Sequence, residues 1–165
     1  MNGDPSSEPV RITDHPAAIE AATRIAADAR RSLWIRSLDL EGWLFDHPDF
    51  LAALRGFATS GRDVQVLVLL HDAAAPQAAH AKLLALAQRL PSVFQFRQVD
   101  DPVYREERVA LVANDAGGYY VRTQGDRVEG VAAFDARARV RQLQLRFEEI
   151  WERSRPVTEY RALGI

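Results

Sequence analysis

The chain has 165 residues, 47% of them apolar, with a formal net charge of −2 and no cysteine. That is enough apolar sequence to bury a substantial core, and it excludes disulfides, thiolate metal sites and cysteine nucleophiles. The near-neutral charge, with arginine supplying all the basic residues except Lys82, argues against nucleic acid or anionic lipid as a partner held by net charge.

Residues 1–9 contain Gly3, Pro5, Ser6, Ser7 and Pro9 and read as a flexible leader. No segment there has the apolar character of a signal peptide, and no apolar run in the chain reaches the ~18 residues needed to span a bilayer. Together with the absence of cysteine, this sets the expectation of a cytoplasmic protein.

Residues 10–155 are expected to form one domain. A short strand over Val10 to Ile12 precedes Thr13-Asp14-His15-Pro16, a helix start with Asp14 as cap and Pro16 in the first turn. Ala18, Ala21, Ala22 and Ile25 continue at helical spacing and let this helix lie close to a sheet. Ser32 to Ser37 reads as a strand. Asp46-His47-Pro48 opens a second helix with Phe50, Leu51, Leu54, Phe57 and Ala58 as its apolar stripe, ended by Gly61. Val64 to Leu70 is a nearly continuous apolar run, as in a central parallel strand covered on both faces. A third helix is expected over Gln77 to Leu90 and a third strand over Val93 to Val99. Helices alternating with strands imply right-handed crossovers and parallel pairing.

The pattern then changes. Arg108 to Ala113 and Tyr119 to Thr123 are strand-like, and Asn114-Asp115-Ala116-Gly117-Gly118 between them is hairpin chemistry. Val128 to Phe134 adds a further strand. The last helix, about Ala136 to Arg153, turns Val140, Leu143, Phe147, Ile150 and Trp151 inward. Its charges oppose the helix dipole, with Arg137, Arg139 and Arg141 early and Glu148, Glu149 and Glu152 late, so packing must hold it. Residues 156–165 show no period and read as a C-terminal tail. The fold class is therefore α/β: a mixed, mainly parallel sheet with helices on both faces and an antiparallel hairpin.

This order of elements, from about Ile12 to Ser154, resembles half of the phospholipase D fold. Gly61 to Val68 resembles that family's segment of a glycine and a basic residue leading into a parallel strand, and Arg146 to Trp151 resembles its closing helix. The resemblance implies a histidine nucleophile in a His-x-Lys motif followed by Asp. The corresponding stretch, Tyr104 to Asp115, contains no histidine. It sets Arg108 where the lysine stands and Asp115 near the aspartate, as degenerate motif positions, and without the nucleophile no phosphohistidine can form. A literal His80-Ala81-Lys82 falls in the third predicted helix, where residues two apart face different sides, with Ala87 where aspartate should be. Asp39 to Leu51 and Arg146 to Arg155 resemble an uncharacterised proteobacterial domain family found alone or fused behind GNAT-class acetyltransferases. That resemblance implies an accessory or ligand-sensing role. Because active phospholipase D enzymes use two halves, it also implies a homodimer or docking to another protein.

Ligands of open α/β sheets gather beyond the carboxyl ends of the parallel strands. Arg36, Ser37 and Asp39 follow the first predicted central strand, His71 and Asp72 follow the second, and Arg97 closes the third. This set is the candidate site for a small anionic ligand, or for acid–base chemistry by His71 with Asp72 or Asp39. The plainer alternative is that Asp72 caps the next turn and His71 packs beside it. His15, His47, His71 and His80 have no pair at ligand spacing, so no metal or other cofactor is expected. Trp43, in a loop with Leu44 and Phe45, marks a contact surface if exposed. A third possibility, weak nucleic-acid binding, rests on Arg137, Arg139, Arg141 and Arg146.

Overall fold

The computed structural model describes residues 8–61 and 63–162. Residues 1–7 of the expected leader, Arg62 in the Gly61 to Val68 segment, and residues 163–165 of the expected tail lie outside the described residues.

The elements follow in the order β1 (Val10–Ile12), α1 (His15–Asp28), β2 (Ser32–Ser37), α2 (Gly42–Phe45), α3 (Pro48–Ala58), β3 (Gln65–Leu70), α4 (Ala74–Ala78) and α5 (Lys82–Arg89). Then come β4 (Phe94–Gln98), α6 (Pro102–Arg105), β5 (Ala110–Asn114), β6 (Tyr119–Arg122), β7 (Gly130–Ala133), α7 (Arg137–Glu152), β8 (Arg155–Pro156) and α8 (Glu159–Ala162). Asp14 caps α1 as expected, its carboxylate accepting the Ala17 N–H at 2.8 Å. The strands form one mixed sheet in the order β1-β7-β6-β5-β2-β3-β4-β8. Parallel pairing is confined to β2–β3 and β3–β4, the strands joined by helices. Every other pairing is antiparallel, so antiparallel structure extends well beyond the hairpin that the turn chemistry announces.

Strand alternation sends two sets of side chains to opposite faces. Leu33, Ile35, Val66, Val68 and Val112 join α1, α3 and α5 in one core layer. Trp34, Leu69, Leu111 and Ala113 join Phe147, Ile150 and Trp151 of α7 in the other. The β5–β6 hairpin is tied by Asn114, whose Oδ1 accepts the Ala116 and Gly118 N–H groups and whose Nδ2 donates to the Ile25 carbonyl at 2.8 Å. Gly117 takes the left-handed conformation there, with φ 97°.

The largest departures from the sequence expectation fall in three segments. The third predicted helix is two helices, α4 and α5, separated where His80 turns to φ 52°, which a continuous right-handed helix cannot contain. The second of them begins where the Lys82 N–H meets the Asp46 carboxylate at 2.9 Å, a cap from a distant loop. His80-Ala81-Lys82 therefore lies at a helix junction. The loop around Trp43 contains the short helix α2. Residues 156–162, which lack a sequence period, complete β8 with Pro156, form α8 and bury Val157 and Tyr160. No helix among the described residues is long and apolar enough to cross a membrane.

Candidate functional site

Beyond the C-terminal ends of β2 and β3 the register decides which side chains meet. Arg36 lies opposite Leu69 and Ser37 opposite Leu70, and the His71 N–H donates to the Ser37 carbonyl at 3.2 Å. Arg36 follows Trp34, and His71 follows Leu69, onto the α7 face. The two side chains meet there, with Arg36 Nη2 3.4 Å from His71 Nε2. A guanidinium has no acceptor, so Nε2 carries the lone pair and the ring proton sits on Nδ1. Arg36, 4% exposed, also donates to the Glu107 carbonyl at 3.0 Å and pairs with the Glu107 carboxylate at 3.5 Å.

Burial pushes the His71 pKa down to about 4, and the guanidinium groups of Arg36, Arg105 and Arg108 push the same way against Glu107. Burial also lowers Arg36, opposed by Glu107. His71 is thus a neutral imidazole at pH 7. Because its folded pKa lies below the ordinary value of 6.5, the unfolded chain takes up this proton first. The contribution is complete above pH 6.5 and is lost as pH falls toward 4, amounting to up to about 3 kcal/mol. Urea denaturation at pH 7, 5.5 and 4 should show a steeper acid loss for the native chain than for His71→Gln. Equal slopes would contradict the assignment.

A cavity of about 530 Å³ opens beside His71. Asp39, Glu41, Asp72 and Asp126 line it together with Arg105 and Arg108. Several of these groups are held by the fold. Arg105 donates to the carbonyls of His71 at 3.0 Å and Val99 at 2.7 Å. Asp72 accepts the N–H groups of Ala74 at 3.0 Å and Ala75 at 3.2 Å, the capping role anticipated for it. Glu41 pairs with Arg122 and accepts the Ser37 hydroxyl at 2.9 Å. Asp39, Asp126 and Arg108 have no ion-pair partner within 4.0 Å among the described residues. Burial raises the Asp39 pKa, helped by Glu41 and Asp72 and opposed by Arg108 and Arg122.

Two backbone features shape the walls. Leu40, buried after β2, sits at φ 56°, an uncommon conformation for a leucine, with its N–H on Ser37 Oγ at 2.9 Å. Gly125 brings its N–H to the Arg108 carbonyl at 2.6 Å, and a Cβ there would meet that oxygen at 2.7 Å. Only glycine permits this approach.

Of the residues singled out from sequence, Arg36, Ser37, Asp39, His71 and Asp72 converge here, and Arg108 joins them. Ser37 is fully buried and serves the turn. Arg97 does not join: Leu69 separates it from Arg36 in the same row of the sheet. Its guanidinium lies 4.7 Å over the Trp151 ring instead. Asp115 is at the opposite end of the sheet, because β5 runs antiparallel to β2; it accepts the N–H groups of Arg30 at 2.9 Å and Arg31 at 3.0 Å. Four lining carboxylates against two guanidinium groups also make this cavity a poor site for a simple anion, contrary to the sequence expectation. No hydrogen bond joins His71 to Asp39 or Asp72 among the described residues. Arg146, from the proposed arginine face, is engaged with Glu107 and Glu149.

Sequence reasoning missed Glu41, Arg105, Arg122 and Asp126. Arg122 carried a signal, since alternation along β6 puts it on the same inward side as Tyr120. Trp43 is half-buried and stacks on His15 at 4.3 Å, which makes it a wall of the cavity. Among the described residues no group of three His, Asp or Glu is placed to hold a metal ion.

A model of the family described as a domain of unknown function, DUF7931, matches residues 14–163. The chain belongs to the DUF7931 family. No curated protein matches it. Among solved structures, the DUF7931 domain is similar to NucT from Helicobacter pylori, with TM-score 0.65 and 10% identity over 90% of this chain and 98% of that one. It is also similar to Nuc from Salmonella typhimurium, a phospholipase D family member, with TM-score 0.59 and 14% identity over 90% and 98%. A third similar structure is TrmBL2, an archaeal chromatin protein with a novel mode of DNA binding, with TM-score 0.62 and 14% identity. The match covers 94% of this chain and 56% of TrmBL2, so the DUF7931 domain spans little more than half of that protein. At these identities the likeness shows the fold, which is phospholipase D-like.

Proposed function

We propose that this DUF7931 domain is a non-catalytic phospholipase D-like module that binds a small polar ligand in the cavity beside His71. The observation that carries this reading is the state of the one histidine at the strand ends. The Nε2 lone pair of His71 faces the Arg36 guanidinium at 3.4 Å and the ring proton sits on Nδ1, so neither ring nitrogen is free to attack phosphorus. The absence of any histidine from Tyr104 to Asp115 supports the same reading. The groups left open, Arg108 beside Asp39 and Asp126, suit a ligand that offers an anionic group to the arginine and N–H donors to the carboxylates. An accessory role next to another protein agrees with the resemblance to domains fused behind acetyltransferases.

Bis-p-nitrophenyl phosphate and single-stranded DNA should not be hydrolysed above background. Turnover abolished by His71→Ala would overturn the proposal and favour the alternative enzyme built on His71 and Asp39. In a metabolite thermal-shift screen, a ligand at a hundred times its Kd should stabilise the native chain by about 2.7 kcal/mol. Asp39→Asn and Arg108→Gln should each remove the shift; a shift that survives both places the ligand elsewhere.

A further inference from the structure

A second cavity, of about 410 Å³, lies at the sheet edge beyond β4, within the size range of small-molecule sites. It exists because β8 is short. Arg155 and Pro156 pair with Gln98 and Arg97, and the Val157 N–H reaches the Phe96 carbonyl at 2.9 Å before the chain leaves for α8. Among the described residues no strand pairs with the outer edge of β4 alongside Phe94 and Gln95. Leu84, Phe94, Phe96, Trp151 and Tyr160 supply the apolar walls. These walls are fixed. Tyr160 donates its hydroxyl to the Ala73 carbonyl at 2.6 Å and sets its ring edge-on to Phe96 at 4.9 Å.

The charge of this cavity is one-sided. Arg97 and Arg161 line it, and among the described residues no lining residue is a carboxylate. Arg97 is half-buried, lies 4.7 Å over the Trp151 ring and donates Nη1 to the Trp151 carbonyl at 2.7 Å. It has no carboxylate within 4.0 Å among the described residues. Consecutive strand residues face opposite sides, so the cavity rounds the sheet edge from Phe96 on one face to Arg97 on the other. A half-buried guanidinium with donors to spare, reached across an aromatic wall, recognises a ligand with an apolar body and one charged head. A neutral apolar ligand would leave the cation desolvated without a counter-charge, and a polyanion would press charge against the aromatic rings.

We infer that this edge cavity binds an amphipathic carboxylate, its chain against Phe94, Phe96 and Tyr160 and its carboxylate on Arg97. The site shares no residue with the cavity beside His71, so the two proposals stand or fall separately.

Titration calorimetry of the full chain with decanoate, decanol and decyltrimethylammonium tests it. Decanoate should bind saturably, at least about tenfold tighter than decanol, with no binding of the cation. Arg97→Gln should weaken decanoate by about tenfold and leave decanol unchanged. Thr158→Trp, an exposed substitution that fills the cavity, should abolish both, and Arg161→Gln should weaken decanoate a few-fold. Circular dichroism checks that each variant is folded, and the two exposed sites keep the test intact if Arg97→Gln does not fold. No saturation up to about 1 mM, equal affinity for decanoate and decanol, or indifference to all three substitutions overturns the inference. Phosphatidylglycerol vesicles form the last arm: binding that exceeds decanoate and depends on Arg97 would assign the cavity to a membrane surface and overturn the free ligand.

Discussion

Arg122→Ala should destabilise the domain by about 3–5 kcal/mol, the range for removing one partner of a buried ion pair. Arg122 is 2% exposed and is among the largest fully buried side chains. It pairs with Glu41, donates to the carbonyls of Gly125 and Arg127, each at 3.2 Å, and stands 5.5 Å from the rings of both Trp43 and Tyr120. Its loss leaves Glu41 poorly solvated and two carbonyls without a donor. Those same groups hold α2 and the β6–β7 loop, two walls of the cavity beside His71. Urea denaturation should show the loss, and the melting temperature should fall on the order of 10 °C. A double variant, Arg122→Met with Glu41→Leu, should recover only the part owed to the unpaired Glu41 carboxylate, because the Gly125 and Arg127 carbonyls still lack their donor. A single-variant loss below about 1 kcal/mol would mean that Glu41 relaxes into solvent.

Phe147→Ala should cost about 3–5 kcal/mol and should act chiefly on α7. Phe147 is 2% exposed and stacks on Trp151 at 5.7 Å in the core layer under that helix. The helix has little local support: no side chain caps it, its first turn holds no acid and its last turn no base. With arginines at the positive end and glutamates at the negative end, the dipole opposes it by a few tenths of a kcal/mol or more per charge, roughly. Packing carries the helix, so the truncation should loosen it selectively. Hydrogen exchange should show α7 amides losing protection before those of β2 and β3. Uniform loss across the sheet, or unchanged protection in α7, would contradict this account.

Where local chemistry acts within a few residues, the sequence was informative. Ser32 to Ser37 is a strand in the structure with those bounds, the Asp14-x-Pro16 start opens α1, and the Asn114 to Gly118 turn closes the β5–β6 hairpin. The unsupported charges of α7 could also be read directly. The break between α4 and α5 could not, because the group that starts α5 is Asp46, thirty-six residues away. The short helices α2 and α6 are too brief to show a period.

The candidate site divides in the same way. That Arg36, Asp39, His71 and Asp72 would gather follows from sequence, since each lies at or just beyond the end of a strand of an α/β alternation and such ends share one side of a parallel sheet. Their chemistry does not follow, because it depends on neighbours brought in by antiparallel strands and loops: Glu107 and Arg105 around Arg36 and His71, Arg122 under Glu41, Gly125 against Arg108. Arg97 ends a strand as well, but β3 intervenes and Trp151 claims its guanidinium, which places it in a different cavity. By itself the sequence determined the order of the longer helices and strands, the two-faced α/β sheet and the missing histidine, because periodicity, turn chemistry and a motif's absence are local. Only the tertiary structure decided which charges are paired, which histidine nitrogen is engaged and where the cavities open. Those properties are set by burial and by contacts between residues far apart in the chain.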